Sequence, residues 1–220
     1  MSLIRTGSSR SFGAQRLSIV VTLVVVAATL LAASPQVSAA PATPQFGPGI
    51  DPYAAYQGQN TCDPTAKPGV VEFRDLLNQT YGAHTTGISR ACDIGGASEH
   101  KEGRALDYHF NVNNGEDRAE ADDVLGWLLA TDRYGNQHAM ARRLGIQYII
   151  WNRQWFRLYR ASEGWRPYSG ASPHTDHIHF SFSWAGARKQ TSWWTGRTGS
   201  SRMFGGSPTD FTGDGRDDIV

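Results

Sequence analysis

Residues 177–182, "HIHFSF", alternate without exception: Ile178, Phe180 and Phe182 fall on one side, His177, His179 and Ser181 on the other. A period of two belongs to a β-strand, so the stretch predicts a strand with one face on a hydrophobic core and one polar face turned away from it. "RALDYHF" (104–110) repeats the pattern, with Leu106, Tyr108 and Phe110 opposed to Ala105, Asp107 and His109. "IQYIIW", Ile146–Trp151, is rich in β-branched and aromatic residues between Gly145 and Asn152 and predicts another strand. The remaining periodic stretches are helical. "KPGVVEFRDLLNQTYG" (67–82) brings Val71, Phe73, Leu76 and Leu77 together after a Pro-Gly break. "EDRAEADDVLGWLLATD" (116–132) has acids in its first turns and Val124, Leu125, Leu128 and Leu129 on one face, and "NQHAMARRLG" (136–145) predicts a shorter third helix. Helices before and between strands that pair as hairpins give an α+β domain without internal repeats.

The 220 residues are enough for one such domain, placed at 61–198. A net charge of +1 supplies no basic surface for nucleic acid. Residues 1–39 read as an export signal: Arg5, Arg10 and Arg16 lead an apolar run at 17–33, followed by the small residues "VSAA". An uncleaved anchor is the alternative, although the run falls short of the roughly 20 residues that span a bilayer. Cleavage predicts a secreted or envelope protein with no stable membrane insertion. In an oxidising compartment the lone pair Cys62 and Cys92 is expected to form a disulfide, two free buried thiols being the other possibility. Residues 40–60, rich in Pro, Gly, Ala and Gln, have no helical or strand period and read as a linker. In the tail, 199–220, Asp210, Thr212, Asp214 and Gly215 resemble the opening of an FG-GAP calcium repeat that stops too early to supply a full ligand set.

The histidines concentrate near two acids. His100 and Asp107 stand seven positions apart. On a helix that separation is roughly 10 Å along the axis, and on a strand an odd separation puts the two on opposite faces. Convergence on one point therefore needs a turn, which Gly103 makes easiest. A strand carrying Asp107 inward and another presenting His179 would complete a His, Asp, His set, the donor types of a catalytic zinc site with one position left for water. His109 reads as a strand histidine with no such role.

At these residues the chain resembles the zinc peptidases related to D-alanyl-D-alanine carboxypeptidases, vancomycin-resistance dipeptidases and the hedgehog signalling domain. "SEHKEGRALD" (98–107) fits their S-x-H-x-x-G-x-A-x-D motif and "HTDHIHFS" (174–181) their later H-x-H, the likeness covering residues 62–184. The resemblance implies a central antiparallel sheet flanked by helices, one zinc ion held by His100, Asp107 and His179, and hydrolysis of peptide bonds in peptidoglycan. It implies Asp176, in place of the relatives' Glu, as general base, with His177 as the other candidate. It also implies Ser98 beside the substrate and Arg90, in "GISR" (87–90), as an oxyanion partner. Asp is one methylene shorter than Glu, so a non-catalytic module of the same fold that binds wall or a protein partner stands as the second reading. Trp151, Trp155, Trp165 and Tyr168 are candidates to line a substrate groove or to pack the core. A monomer is expected.

Overall fold

The computed structural model describes residues 40–197. The export signal and the calcium-repeat-like tail lie outside the described residues. The described chain is α+β, with a six-stranded sheet ordered β1-β2-β6-β3-β4-β5. Its strands are β1 (Thr86–Gly87), β2 (Ala105–Tyr108), β3 (Ile146–Trp151), β4 (Gln154–Arg157), β5 (Trp165–Pro167) and β6 (Ile178–Phe182). Every neighbouring pair is antiparallel. The helices are α1 (Pro68–Tyr81), α2 (Gly115–Leu129), α3 (Ala139–Leu144) and two single turns, α4 (Trp184–Ala187) and α5 (Ser192–Thr195).

Local chemistry sets the helix ends. Pro68 occupies the first turn of α1, where its missing N–H costs nothing, and the Asn114 side chain caps α2 through the amides of Glu116 and Asp117. The core forms on the alternating apolar faces. Leu106, Tyr108, Ile178, Phe180 and Phe182 are fully buried, and Phe73 of α1 meets Phe180 and Phe182 edge-on at 5.2 and 5.5 Å. At roughly 1.5–3 kcal/mol per fully buried large apolar side chain, this face dominates the stability of the sheet.

The stretch that reads as a linker is fastened to the domain too, and at Gln57 it reaches Gln147 on the sheet. Residues 40–60 have no helix or strand, yet they lie along the domain, fastened one backbone group at a time. Buried Arg143 donates to the carbonyls of Gly47 and Gly49, Arg142 to that of Asp51, and Arg104 to that of Gln57. Gln147 exchanges hydrogen bonds with the backbone of Gln57 and also reaches Ser181 on β6. These bonds obey no local period, so composition alone gives no sign of them.

Cys62 and Cys92 form a disulfide with a Cα–Cα distance of 5.9 Å. It joins the end of the 40–60 stretch, a strap along the domain, to the loop leading into the "SEHKEGRALD" motif. Next to it Asp63 N–H donates to the Lys101 carbonyl, and the Lys101 ammonium donates to the carbonyls of Cys92 and Gly95. Reduction is expected to lower the unfolding free energy by about 2–4 kcal/mol through release of the closed loop. Urea transitions of oxidised and of reduced, alkylated protein check this; superimposable curves contradict it. Among the described residues, no helix is long and apolar enough to cross a membrane.

Candidate metal centre

Sheet register does most of the assembly. Asp107 of β2 is paired directly with His179 of β6, which places both side chains on one face as close cross-strand neighbours. His100 reaches the same point from a 3-10 turn, Glu99–Glu102. Ser98 caps that turn, accepting from His100 N–H, and Gly103 ends it in the left-handed region at φ 62°. A Cβ at Gly103 would run into the Thr65 carbonyl, so the turn that lets His100 and Asp107 converge admits glycine alone without rearrangement.

Three donor atoms then form a near-regular triangle. His179 Nδ1 lies 2.8 Å from Asp107 Oδ1, His100 Nε2 3.1 Å from the same oxygen, and the two nitrogens are 3.2 Å apart. Tetrahedral ligands at about 2.0–2.1 Å from zinc stand roughly 3.3 Å from one another, so the residues fit a zinc ion with little adjustment. The outer contact of His100 fits as well. His100 Nδ1–H donates to the Ile88 carbonyl at 2.9 Å, leaving Nε2 with its lone pair toward the cluster. His179 Nε2 is buried without a hydrogen-bond partner among the described residues. That costs free energy.

Electrostatics point the same way. Burial alone would raise the Asp107 carboxyl, but hydrogen bonds from His100 and His179 and their charges outweigh it and hold the group far below the usual carboxylate range. Burial pushes His179 down, toward the neutral imidazole that a metal requires. Tyr148 stacks on the His179 ring at 5.6 Å and 19°, and its hydroxyl donates to Glu99 at 2.6 Å. Burial, then the Glu99 charge, raises that phenol and keeps it a donor.

The remaining candidates occupy different distances from the cluster. Residues 171–177 are loop, and β6 starts at Ile178. His177 directs Nε2 at Asp107 Oδ1, 3.6 Å away, while its Nδ1 is 2.8 Å from Asp176 Oδ1. Asp176 is therefore linked to the cluster through His177, and it is mostly exposed. Burial would raise its carboxyl, but the His177 hydrogen bond holds it low. Ser98 serves as the cap described above. Arg90 is tied to the motif by its backbone N–H, which donates to the His100 carbonyl, and its side chain makes no hydrogen bond or ion pair among the described residues. His109 packs on His177 at 5.6 Å.

Sequence reasoning missed His174, Glu99 and Tyr148. His174 is buried, sits at φ 50°, and packs 4.7 Å from the His177 ring and 5.7 Å from that of His179. Burial, then its two histidine neighbours, lowers it to about 4, so it is neutral at pH 7 and donates Nδ1–H to the Ser172 carbonyl. Its place within "SPHTDHIHF" was the available signal, but a left-handed residue outside a strand has no period to betray its direction. A second group, His84, Asp117 and Glu120, also gathers within 4.8 Å. There the His84 to Glu120 contact of 3.3 Å fastens the segment before β1 to α2.

Comparison with known proteins yields one family model, described as "VldE, C-terminal domain", which matches residues 62–179. The matched span opens on the disulfide cysteine and closes on His179, enclosing β1 to β5, the turn and the three donors. No curated protein and no solved structure matches the chain.

Proposed function

The chain belongs to the family of the VldE C-terminal domain, and we propose that it is a secreted zinc-dependent peptidase acting on peptide bonds of bacterial peptidoglycan. The observation that carries the reading is the donor triangle of His100, Asp107 and His179, with edges of 2.8 to 3.2 Å. Substrate class rests on the likeness of "SEHKEGRALD" and "HTDHIHFS" to peptidoglycan peptidases. Export rests on the N-terminal signal pattern, with which the disulfide is consistent.

His100, Asp107 and His179 would hold the ion. Bound there, zinc supplies a water acidic enough to ionise near neutral pH and a Lewis acid for the scissile carbonyl. The chain supplies the rest. Asp176 accepts the Nδ1–H of His177 and so fixes the tautomer in which Nε2 faces the cluster with a free lone pair. His177 Nε2 takes a proton on the attacking side and returns it to the leaving amine, while the carboxylate steadies the imidazolium. This reverses the order expected from sequence, making Asp176 the orienting group and His177 the base. Neutral His174 lines the same side as a hydrogen-bond acceptor for a substrate N–H.

Incubation of the zinc-loaded mature chain with purified muropeptides, followed by mass spectrometry, tests the reading. It predicts products shortened by amide hydrolysis, absent from the His179→Ala variant. Intact muropeptides after exhaustive incubation with folded, zinc-loaded protein would favour the binding module instead.

A further inference from the structure

On the side of the sheet turned away from the metal donors, α2 and the β3–β4 hairpin enclose a groove of about 410 Å³. Register fixes the side. Trp165 of its wall is paired with Phe156, Phe156 with Ile149 and Ile149 with Phe180 of the apolar face, whereas Asp107 and His179 occupy the other. We propose that this groove is a second binding site, separate from the metal centre, and that it takes a neutral sugar ring.

A missing side chain is the first sign of a ligand. Gly126 lies inside α2 and lines the groove, at a position where glycine weakens the helix. Packing does not call for it: a Cβ there would meet nothing within 4 Å, and the backbone is not left-handed. Gly69 and Gly186 differ, because a Cβ on either would run into the backbone of a neighbouring element. What a side chain at 126 would fill is the groove itself, the space in which a ligand approaches the backbone closely.

The lining names the class of ligand. Trp151 and Trp165 supply flat apolar surface, and Phe156 holds Trp165 edge-on at 5.6 Å. Around them, the side chains of Asp122, Asn152 and Gln154 and both indole N–H groups make no hydrogen bond among the described residues. Asn152 is firmly placed: with Arg153 it forms the two-residue hairpin turn, left-handed at φ 46° and 62°, and the two N–H groups donate to the carbonyls of His174 and Pro173. The rim thus offers donors, from the indoles and amides, and acceptors, from the carboxylate and the amide oxygens. An ammonium ligand would leave the donors unanswered, and an anion would meet Asp122 with no Lys or Arg in the lining. Sugar hydroxyls both donate and accept, and the C–H face of a pyranose lies flat on an indole, so a neutral sugar answers both sets at once.

The test is equilibrium binding to the full mature chain, read by calorimetry and tryptophan fluorescence, with triacetylchitotriose and cellotriose as neutral probes and a peptidoglycan stem tetrapeptide as competitor. Saturable binding of at least one sugar is expected, undisturbed by the tetrapeptide. Trp165→Ala should weaken it by about tenfold or more. Gly126→Leu should do the same while raising Tm, because leucine is the better helix former and its side chain enters open space. Lost binding in a more stable protein is a result that a folding defect does not give. Absence of saturable binding by both sugars, displacement of the sugar by the tetrapeptide, or wild-type affinity in Gly126→Leu overturns the proposal. Sugar binding without any muropeptide hydrolysis would remove the peptidase reading and leave this site standing. Hydrolysis without sugar binding would do the reverse.

Discussion

Replacement of His177 by glutamine is expected to leave zinc bound and to slow hydrolysis of a muropeptide by about 10²–10⁴-fold, the usual worth of a positioned general base. Glutamine fills similar space and can still contact Asp107, but it cannot take a proton. The acidic limb of the kcat/KM profile, where a base gains its proton and stops working, should disappear with it. Asp176→Asn acts one step further out. It leaves the imidazole in place and keeps an amide oxygen that can accept Nδ1–H, but it removes the negative charge that holds the tautomer and steadies the imidazolium, so a loss of about 10–100-fold is expected, with the limb retained. Steady-state kinetics on both zinc-loaded variants decide the order of the pair. A larger loss in Asp176→Asn than in His177→Gln would return the base to the carboxylate.

The second large effect is on stability. Arg104 and Glu102 are an ion pair at 2.7 Å with both side chains fully buried, on either side of Gly103. Glu102 also accepts from the backbone N–H groups of Asn60 and Thr61 and from the Thr61 hydroxyl. Arg104 donates to the carbonyls of Phe182 and Gln57 and lies 5.2 Å from the Trp184 ring. One knot therefore joins the strap, the end of β6 and the turn between His100 and Asp107. Glu102→Ala leaves the guanidinium buried and unpaired, which costs about 3–5 kcal/mol. Urea unfolding of the zinc-free proteins measures it, and a loss below about 1 kcal/mol, the range of an exposed pair, contradicts the account. The double variant Glu102→Gln with Arg104→Met should be less damaged than the sum of its parts, because no lone charge remains.

The same pair gives a pH dependence of definite sign. Burial works to raise the Glu102 carboxyl, but its backbone and hydroxyl donors and Arg104 win and lower it in the folded chain. A group depressed on folding contributes stability above its unfolded value, about 4.3 for Glu, and loses it as pH falls through the folded value. Acid should therefore erode wild-type stability more steeply than that of Glu102→Gln below about pH 4.

What the sequence disclosed follows from the range of the forces involved. Periodic elements were legible because burial imprints a local period: β3 is Ile146–Trp151 as read, and the alternation of 177–182 correctly assigns Ile178, Phe180 and Phe182 to the core. The turn at Gly103 was legible because the spacing of His100 and Asp107 allowed convergence in no other way. The strap was not, since its anchors are long-range bonds from Arg104, Arg142 and Arg143 to backbone carbonyls that carry no residue type. The roles of Glu102 and Arg104 were hidden for a related reason, as charged residues in a motif read as surface or as chemistry before they read as core. Asp176 and His177 were both candidates from the sequence, but only the structure brings out the 2.8 Å contact between them outside the strand. His174 depended on a single dihedral angle.

Every proposed role in the site depends on His100, Asp107 and His179 holding zinc. Elemental analysis of the folded mature chain, purified without chelator and dialysed against trace zinc, tests this most directly. The expected result is one tightly held zinc equivalent, lost in His179→Ala and released on acidification as the imidazoles protonate. Folded wild-type protein that retains no zinc, or His179→Ala that retains as much as wild type, would contradict it.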